Sequence, residues 1–210
     1  NPFVFHVGAN VPRSYPVNFM LTMSDGSYND VQFFSVILNP TYATHNVNKV
    51  LTTLTNRGNI GFNDFDANTQ GVGFVYGGNN QLFEGGLLIG TSAATLVDVG
   101  RNAGNGEDAD FASHQAYSLR TPGLVSDQDG GTVFTDSIAP ASNRVGVRVN
   151  MYSYAFGNDP DRDYVIVRYD IRNISGGTLS NLYAGLFFDW DMHDPGELDG
   201  SYFAHNRTSF

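Results

Sequence analysis

Residues 145–195, VGVRVNMYSYAFGNDPDRDYVIVRYDIRNISGGTLSNLYAGLFFDWDMHDP, are the stretch whose reading decides the fold. Val145, Val147, Val149 and Met151 occupy alternate positions, the two-residue period of a strand with one buried face. Gly157-Asn158-Asp159-Pro160-Asp161-Arg162-Asp163 then turns the chain, since Gly, Asn, Asp and Pro each favour bent backbone. Val165, Val167, Tyr169 and Ile171 alternate on the next strand, and Ser175-Gly176-Gly177-Thr178 turns it again. Leu182, Ala184, Leu186, Phe188 and Trp190 alternate on a third. The pattern predicts a three-stranded antiparallel meander, with Trp190 pointing into the core beside Leu186 and Phe188.

The same period runs upstream. Val17, Phe19, Leu21 and Met23 alternate with Asn18, Met20, Thr22 and Ser24. After the turn residues Ser24-Asp25-Gly26-Ser27-Tyr28-Asn29-Asp30, the run Val31-Gln32-Phe33-Phe34-Ser35-Val36-Ile37-Leu38 completes a hairpin. Asn39-Pro40-Thr41-Tyr42 breaks the pattern and divides the chain into a β segment over residues 1–42 and a larger domain over residues 43–210. Strands are expected at 47–55, 71–76 and 82–89, with Gly77-Gly78-Asn79-Asn80 joining the last two as a hairpin. The glycines of Gly58-Asn59-Ile60-Gly61-Phe62 and Glu84-Gly85-Gly86 read as bulges or close backbone approaches. Residues 100–135 are the least regular and read as a long surface excursion. No segment sustains a helical period, so the expected fold class is all-β, an antiparallel β-sandwich.

Composition narrows the function classes. The 210 residues are 41% hydrophobic and only 15% charged, a globular balance. A net charge of -10 repels nucleic acid and anionic lipid. No apolar run approaches the roughly 20 residues of a membrane span. The absence of cysteine removes disulfides, zinc thiolates and thiol nucleophiles. A single lysine, Lys49, among abundant Gly, Asn, Asp, Ser, Thr and Tyr is the balance of an exported β protein. Asn1-Pro2-Phe3 and His205-Asn206-Arg207-Thr208-Ser209-Phe210 read as the ends of a fragment or processed piece.

The chemical signals are sparse. Gly90-Thr91-Ser92-Ala93-Ala94 is similar to the serine motif of subtilisin-like proteases, but no Asp-Thr-Gly or His-Gly-Thr segment accompanies it, and a serine without a base is a poor nucleophile. His6, His45, His114, His193 and His205 lack metal-ligand spacing and read as surface or loop residues. No phosphate-binding glycine loop precedes a helix. A glycosidase needs two carboxylates held about 5–10 Å apart beside sugar-stacking aromatics. Asp189 and Asp191 share a strand face, but Trp190 points the opposite way, which argues against that use. Hard oxygen donors do cluster at two places, Asp159, Asp161 and Asp163 at a turn and Asp189, Asp191 and Asp194 near Glu197 and Asp199. They are candidate calcium ligands, although neither run is an EF-hand loop. Such residues also serve simply as turn formers. Asn173-Ile174-Ser175 and Asn206-Arg207-Thr208 are glycosylation sequons.

Three stretches carry a resemblance. They are Asn56-Arg57-Gly58-Asn59-Ile60-Gly61-Phe62-Asn63-Asp64 with Gln70-Gly71-Val72-Gly73-Phe74; Leu82-Phe83-Glu84-Gly85-Gly86-Leu87-Leu88-Ile89-Gly90-Thr91-Ser92; and Asp163-Tyr164-Val165-Ile166-Val167-Arg168-Tyr169 with Asn181-Leu182-Tyr183-Ala184-Gly185-Leu186-Phe187-Phe188-Asp189-Trp190-Asp191. Together they resemble the region downstream of the catalytic domain in large secreted subtilisin-like serine proteases of Bacteroidetes-type lineages, many exported by the type IX secretion route. Residues 1–42 resemble the end of the immunoglobulin-like segment that precedes it. The resemblance implies a non-catalytic accessory module of a secreted or cell-surface protein, with no triad residue to carry over. Its expected partners are the parent polypeptide, neighbouring β domains or further copies of itself, and calcium is the one candidate cofactor. A structural or adhesive subunit is the alternative, with Phe3-Val4-Phe5 completing a neighbour's sheet. A carbohydrate-binding module using Tyr152 and Tyr154 is a third reading.

Overall fold

The computed structural model describes residues 5–8, 10–64, 67–100, 106 and 109–192. His193, Asp194, Glu197, Asp199, His205 and the second sequon lie outside them. Among the described residues every regular element is a strand, and none is a helix long and apolar enough to cross a membrane. In chain order the strands are β1 (Tyr15–Asp25), β2 (Tyr28–Leu38), β3 (Tyr42–His45), β4 (Val50–Thr55), β5 (Asn59–Ile60), β6 (Phe74–Tyr76), β7 (Asn79–Asn80) and β8 (Leu82–Ser92). They continue with β9 (Thr95–Val97), β10 (Ala112–Ser113), β11 (Ser118–Arg120), β12 (Gln128–Thr135), β13 (Val147–Ala155), β14 (Val165–Asn173) and β15 (Tyr183–Trp190).

The first two strands stand apart as a two-stranded ribbon. Asp25 pairs with Tyr28, so the loop is only Gly26-Ser27, and Gly26 sits at φ 59°, the positive value a two-residue hairpin turn demands at that place. The remaining strands form two antiparallel sheets. One runs β10-β12-β13-β14 with β11 also on β12; the other runs β15-β8-β5-β4-β6-β7 with β3 on β4 and β9 on β8. Leu54, Leu82, Leu87, Ile89 and Val97 from the larger sheet meet Phe134, Val147, Val149 and Met151 from the smaller in one core. The domain is therefore the expected β-sandwich.

The predicted meander is half right. β13 and β14 pair along their full lengths, Val147 opposite Asn173 through Ala155 opposite Val165. The third strand leaves them: β15 pairs with β8, across the sandwich. The connection over residues 174–182 is too long for a tight hairpin, and Leu179 within it packs on the core as the chain crosses. One glycine fits the destination. Phe188 lies opposite Gly85, and a Cβ on Gly85 would stand 2.5 Å from Phe188 Cδ1. The neighbouring Gly86 makes room for Val99, whose Cγ2 a Cβ there would meet at 2.2 Å. Only a strand with a bare backbone at the place of Gly85 accepts the ring, a cross-strand aromatic-glycine fit that β14 does not offer. Phe188 then stacks on Trp190 at 5.2 Å, and Trp190 receives Phe74 edge-on at 5.4 Å. Leu186, expected inside, is 50% exposed and lines an open groove with Leu88 and Tyr183.

Two further expectations are corrected. The turn at Gly77-Gly78 closes β6 on β7, Tyr76 opposite Asn79, and not β6 on β8; β8 is occupied by β15, β5 and β9. Of the segment 100–135, the described residues 109–135 are not a surface excursion, since Phe111, Tyr117 and Phe134 are the largest fully buried side chains. Its irregularity has a cause in β12. Gly130 and Gly131 interrupt the apolar alternation there, while β10 and β11 are short clasps that satisfy the edge of β12.

The aromatic-glycine fit predicts a coupled response to mutation. Phe188→Ala is expected to cost about 2–3 kcal/mol and Gly85→Ala about 1–3 kcal/mol. The double variant should lose less than their sum, because removing the ring makes room for the methyl. Urea unfolding of the four proteins measures this.

Candidate functional site

The core face of β13 continues past Met151 to Ser153 and Ala155, both fully buried. A hydroxyl there must find partners. It lies between two. Ser153 Oγ is 2.6 Å from His45 Nε2 and 2.6 Å from the Tyr117 hydroxyl. His45 Nδ1 is 3.0 Å from Gln128 Oε1, which also accepts the Asn46 amide at 3.0 Å. Gln128 Nε2 donates to Asn46 Oδ1 at 3.1 Å and to Thr121 Oγ1 at 2.9 Å, which fixes the orientation of its amide.

That orientation sets the direction of the whole chain. Gln128 Oε1 only accepts, so His45 Nδ1 carries the proton and Nε2 presents a lone pair. Ser153 donates to Nε2, and Tyr117 donates to Ser153. Gly130 makes the space, since a Cβ there would lie 2.3 Å from Ser153 Oγ and 2.5 Å from the Tyr117 oxygen. Burial pushes the imidazole down to about 4 from 6.5, against the opposing pull of Gln128 and, more weakly, of Asp129. Burial likewise drives the Tyr117 and Tyr169 phenols well above their ordinary value.

A serine donating to an imidazole backed by a third group is the ground-state arrangement of a general-base pair. Here His45, Ser153 and the apolar body of Tyr117 are all at 0% exposure, so no substrate reaches the hydroxyl. The network serves instead to join β3 of one sheet to β12 and β13 of the other. The expectation that His45 is a surface or loop residue is corrected: its partners are 83 and 108 residues away, beyond the reach of any local pattern. The legible signal was on β13, where the alternation from Val147 places Ser153 inward.

The carboxylates are largely fasteners of the backbone. Asp136, 1% exposed, accepts the amides of Val145, Gly146 and Val147 at 2.8, 2.6 and 3.0 Å. Asp129 accepts those of Leu124, Val125 and Ser126 at 2.6, 2.8 and 2.9 Å. Asp64 accepts those of Thr69 and Gln70 at 3.0 and 2.7 Å. In Asp64 and Asp129 desolvation pushes the carboxyl upward, but hydrogen bonds from Thr69 and Gln70, and from residues 124–126, outweigh it and hold each below the usual range.

The candidate calcium ligands are placed as follows. Asp163 accepts Lys49 Nζ at 2.8 Å and the Tyr76 hydroxyl at 2.9 Å, and these bonds hold its carboxyl below the usual range. Asp159 pairs with Arg162 Nε at 2.6 Å, and Asp161 accepts the Tyr164 hydroxyl. Asp189 and Asp191 sit at the end of β15, where the Asp191 amide donates to Gln81 O at 2.9 Å. Among the described residues no three His, Asp or Glu side chains gather closely enough to hold a metal.

Ser92 Oγ accepts the amides of Ala94 and Thr95 at 3.3 and 3.1 Å, closing the turn between β8 and β9. His114 Nε2 contacts Thr135 Oγ1 at 3.0 Å. The Arg168 guanidinium lies over the Tyr152 ring, 5.6 Å from its centre, on the outer sheet face. An open apolar groove of about 520 Å³ runs beside the edge strand β15, lined by Leu88, Leu96, Tyr183 and Phe187 over Gly90 and Gly185.

The fold and its polar interior define an antiparallel, all-β sandwich bolted through its core. Compared with family models, curated proteins and solved structures, the chain matches none.

Two outcomes follow from this wiring. Neutral His45 is required by the fold, so stability is whole above pH 6.5, where the unfolded imidazole is also neutral, and is lost as pH falls from 6.5 towards 4. The loss should reach roughly 3 kcal/mol at its limit; His45→Gln should be weaker at neutral pH yet lack that slope in urea unfolding. Asp136→Ala, which strands two buried amides and one half-buried one, should cost about 2–4 kcal/mol by the same measurement.

Proposed function

We propose that the chain is a non-catalytic structural module of a secreted or cell-surface bacterial protein, one that accompanies a subtilisin-like protease and spaces or braces it. The observation that carries this reading is the closed Tyr117-Ser153-His45-Gln128 chain. Among the described residues His45 and Ser153 make the one histidine-serine contact, and it is sealed in the core. Ser92, in the segment similar to a subtilisin serine motif, spends its hydroxyl on a turn. The acidic side chains at 64, 129 and 136 are bound to backbone amides and are not held ready for proton transfer. These uses rigidify a scaffold.

The proteolytic context rests on the three resembling stretches, and the extracellular setting on the same resemblance and on a single lysine among abundant Gly, Asn, Asp, Ser, Thr and Tyr. The immunoglobulin-like reading of residues 1–42 belongs to the same proposal; within it the β1–β2 ribbon is the end of such a segment. A structural subunit of an extracellular assembly is the second reading, favoured by the exposed apolar side chains of that ribbon, Met20, Phe33 and Phe34 among them.

A fluorophosphonate probe, which labels activated serines, tests the non-catalytic claim. No labelling is expected. Labelling that Ser153→Ala or Ser92→Ala abolishes would overturn it.

A further inference from the structure

A polar pocket of about 220 Å³ lies where the base of the β1–β2 ribbon meets the sandwich. Val11 and Arg13 with Asn39 form one wall, Asn56 just past β4 a second, and residues 113–116 a third. Each wall is pinned through its backbone. Asn39 donates from Nδ2 to Val11 O at 2.8 Å and accepts the Ser14 amide at 2.9 Å. The Asn56 amide donates to Thr41 O at 2.7 Å, and the His114 and Gln115 amides donate to Val133 O at 2.8 and 3.2 Å. A site held in this way has its shape before a ligand arrives.

The side chains of the pocket lack partners. Among the described residues Arg13 makes no hydrogen bond or ion pair through its guanidinium, and Gln115 none through its carboxamide. Asn56 is 2% exposed, yet its Oδ1 accepts no hydrogen bond, a desolvation cost that a donor in the pocket would remove. The backbone beside Arg13 is bent as well. Ser14 holds φ 50° and Asn39 φ 48°, left-handed values that are uncommon outside glycine and gather at binding sites.

These groups specify a ligand. A free guanidinium takes a carboxylate through two parallel hydrogen bonds. The Asn56 oxygen takes a hydroxyl donor, and the Gln115 carboxamide both donates and accepts. None of the lining residues is Phe, Tyr or Trp, which disfavours a flat apolar guest. The volume falls below the ~300–1,000 Å³ of drug-sized ligands, and at ~30 Å³ per water it equals about seven waters, room for one small polar unit. Because the net charge of -10 disfavours anions generally, a specific contact to Arg13 and not the overall field must hold the guest.

We propose that this pocket binds a small hydroxylated carboxylate of the size of one uronic acid. Arg13 holds the carboxylate, Asn56 accepts a ring hydroxyl, and Gln115 bonds a second hydroxyl at the rim. The site does not depend on the scaffold role, since a bracing module and a free-standing one can each carry it.

Nuclear magnetic resonance titration of the intact, isotope-labelled chain tests it, with D-glucuronate as the probe. Saturable amide shifts at Arg13, Asn56 and Gln115 are expected, with a Kd on the order of 1 mM. D-Glucose, which lacks the carboxylate, and acetate, which lacks the hydroxyls, should each bind about tenfold more weakly. Arg13→Met should weaken glucuronate about tenfold and Asn56→Ala about fivefold, while Arg168→Met, on β14 and outside the pocket, should leave the affinity unchanged. The amide spectrum reports whether each variant is folded, and Arg13→Met decides alone if Asn56→Ala does not fold, because Arg13 is exposed. A short oligouronate that binds more tightly than the monomer identifies the end of an acidic polysaccharide as the source, and equal affinities identify the free acid. Absence of saturable shifts at the three residues overturns the proposal, as does glucose or acetate binding as tightly as glucuronate, or glucuronate binding that Arg13→Met leaves intact.

Discussion

The sandwich depends on a single directional chain of hydrogen bonds, Tyr117 to Ser153 to His45 and His45 to Gln128. Apolar packing between two sheets is non-directional and tolerates sliding. A buried polar chain does not, because every member left without its partner carries the full cost of desolvation. The contact that locks the sheets against each other thus also sets their relative position. It demands space at Gly130, a neutral imidazole, and a glutamine whose amide is itself held by Asn46 and Thr121.

Around that bolt the molecule repeats two devices. Glycine receives a large side chain from a distant strand, as Gly85 of β8 receives Phe188 and Gly58, in the turn before β5, lies against the Phe134 ring. Carboxylates gather runs of backbone amides in loops that have no ladder to satisfy them, as Asp136 does for residues 145–147. Asp64 and Asp129 do the same for residues 69–70 and 124–126. This second device explains how long irregular connections remain part of the core rather than leaving it.

Much of this was legible. Strand character in β1, β2, β13 and β14 follows from alternation, and the hairpin between β1 and β2 from Gly26-Ser27. The close approaches at Gly85 and Gly86 follow from glycine in an otherwise apolar strand. The candidate site was far less so. His45 looks like any loop histidine until Gln128 and Ser153 are beside it, and the acids of residues 159–163 look like a cation site until Lys49, Tyr76 and Arg162 are placed.

By itself the sequence determined an all-β chain with an N-terminal hairpin, because side-chain alternation and turn chemistry act over a few residues. Tertiary structure alone decided that β15 crosses to β8, that residues 109–135 enter the core, and that a serine and a histidine close into a sealed network. Each of those outcomes is set by a fit between surfaces distant along the chain, and alternation carries no information about which distant surface a strand will meet.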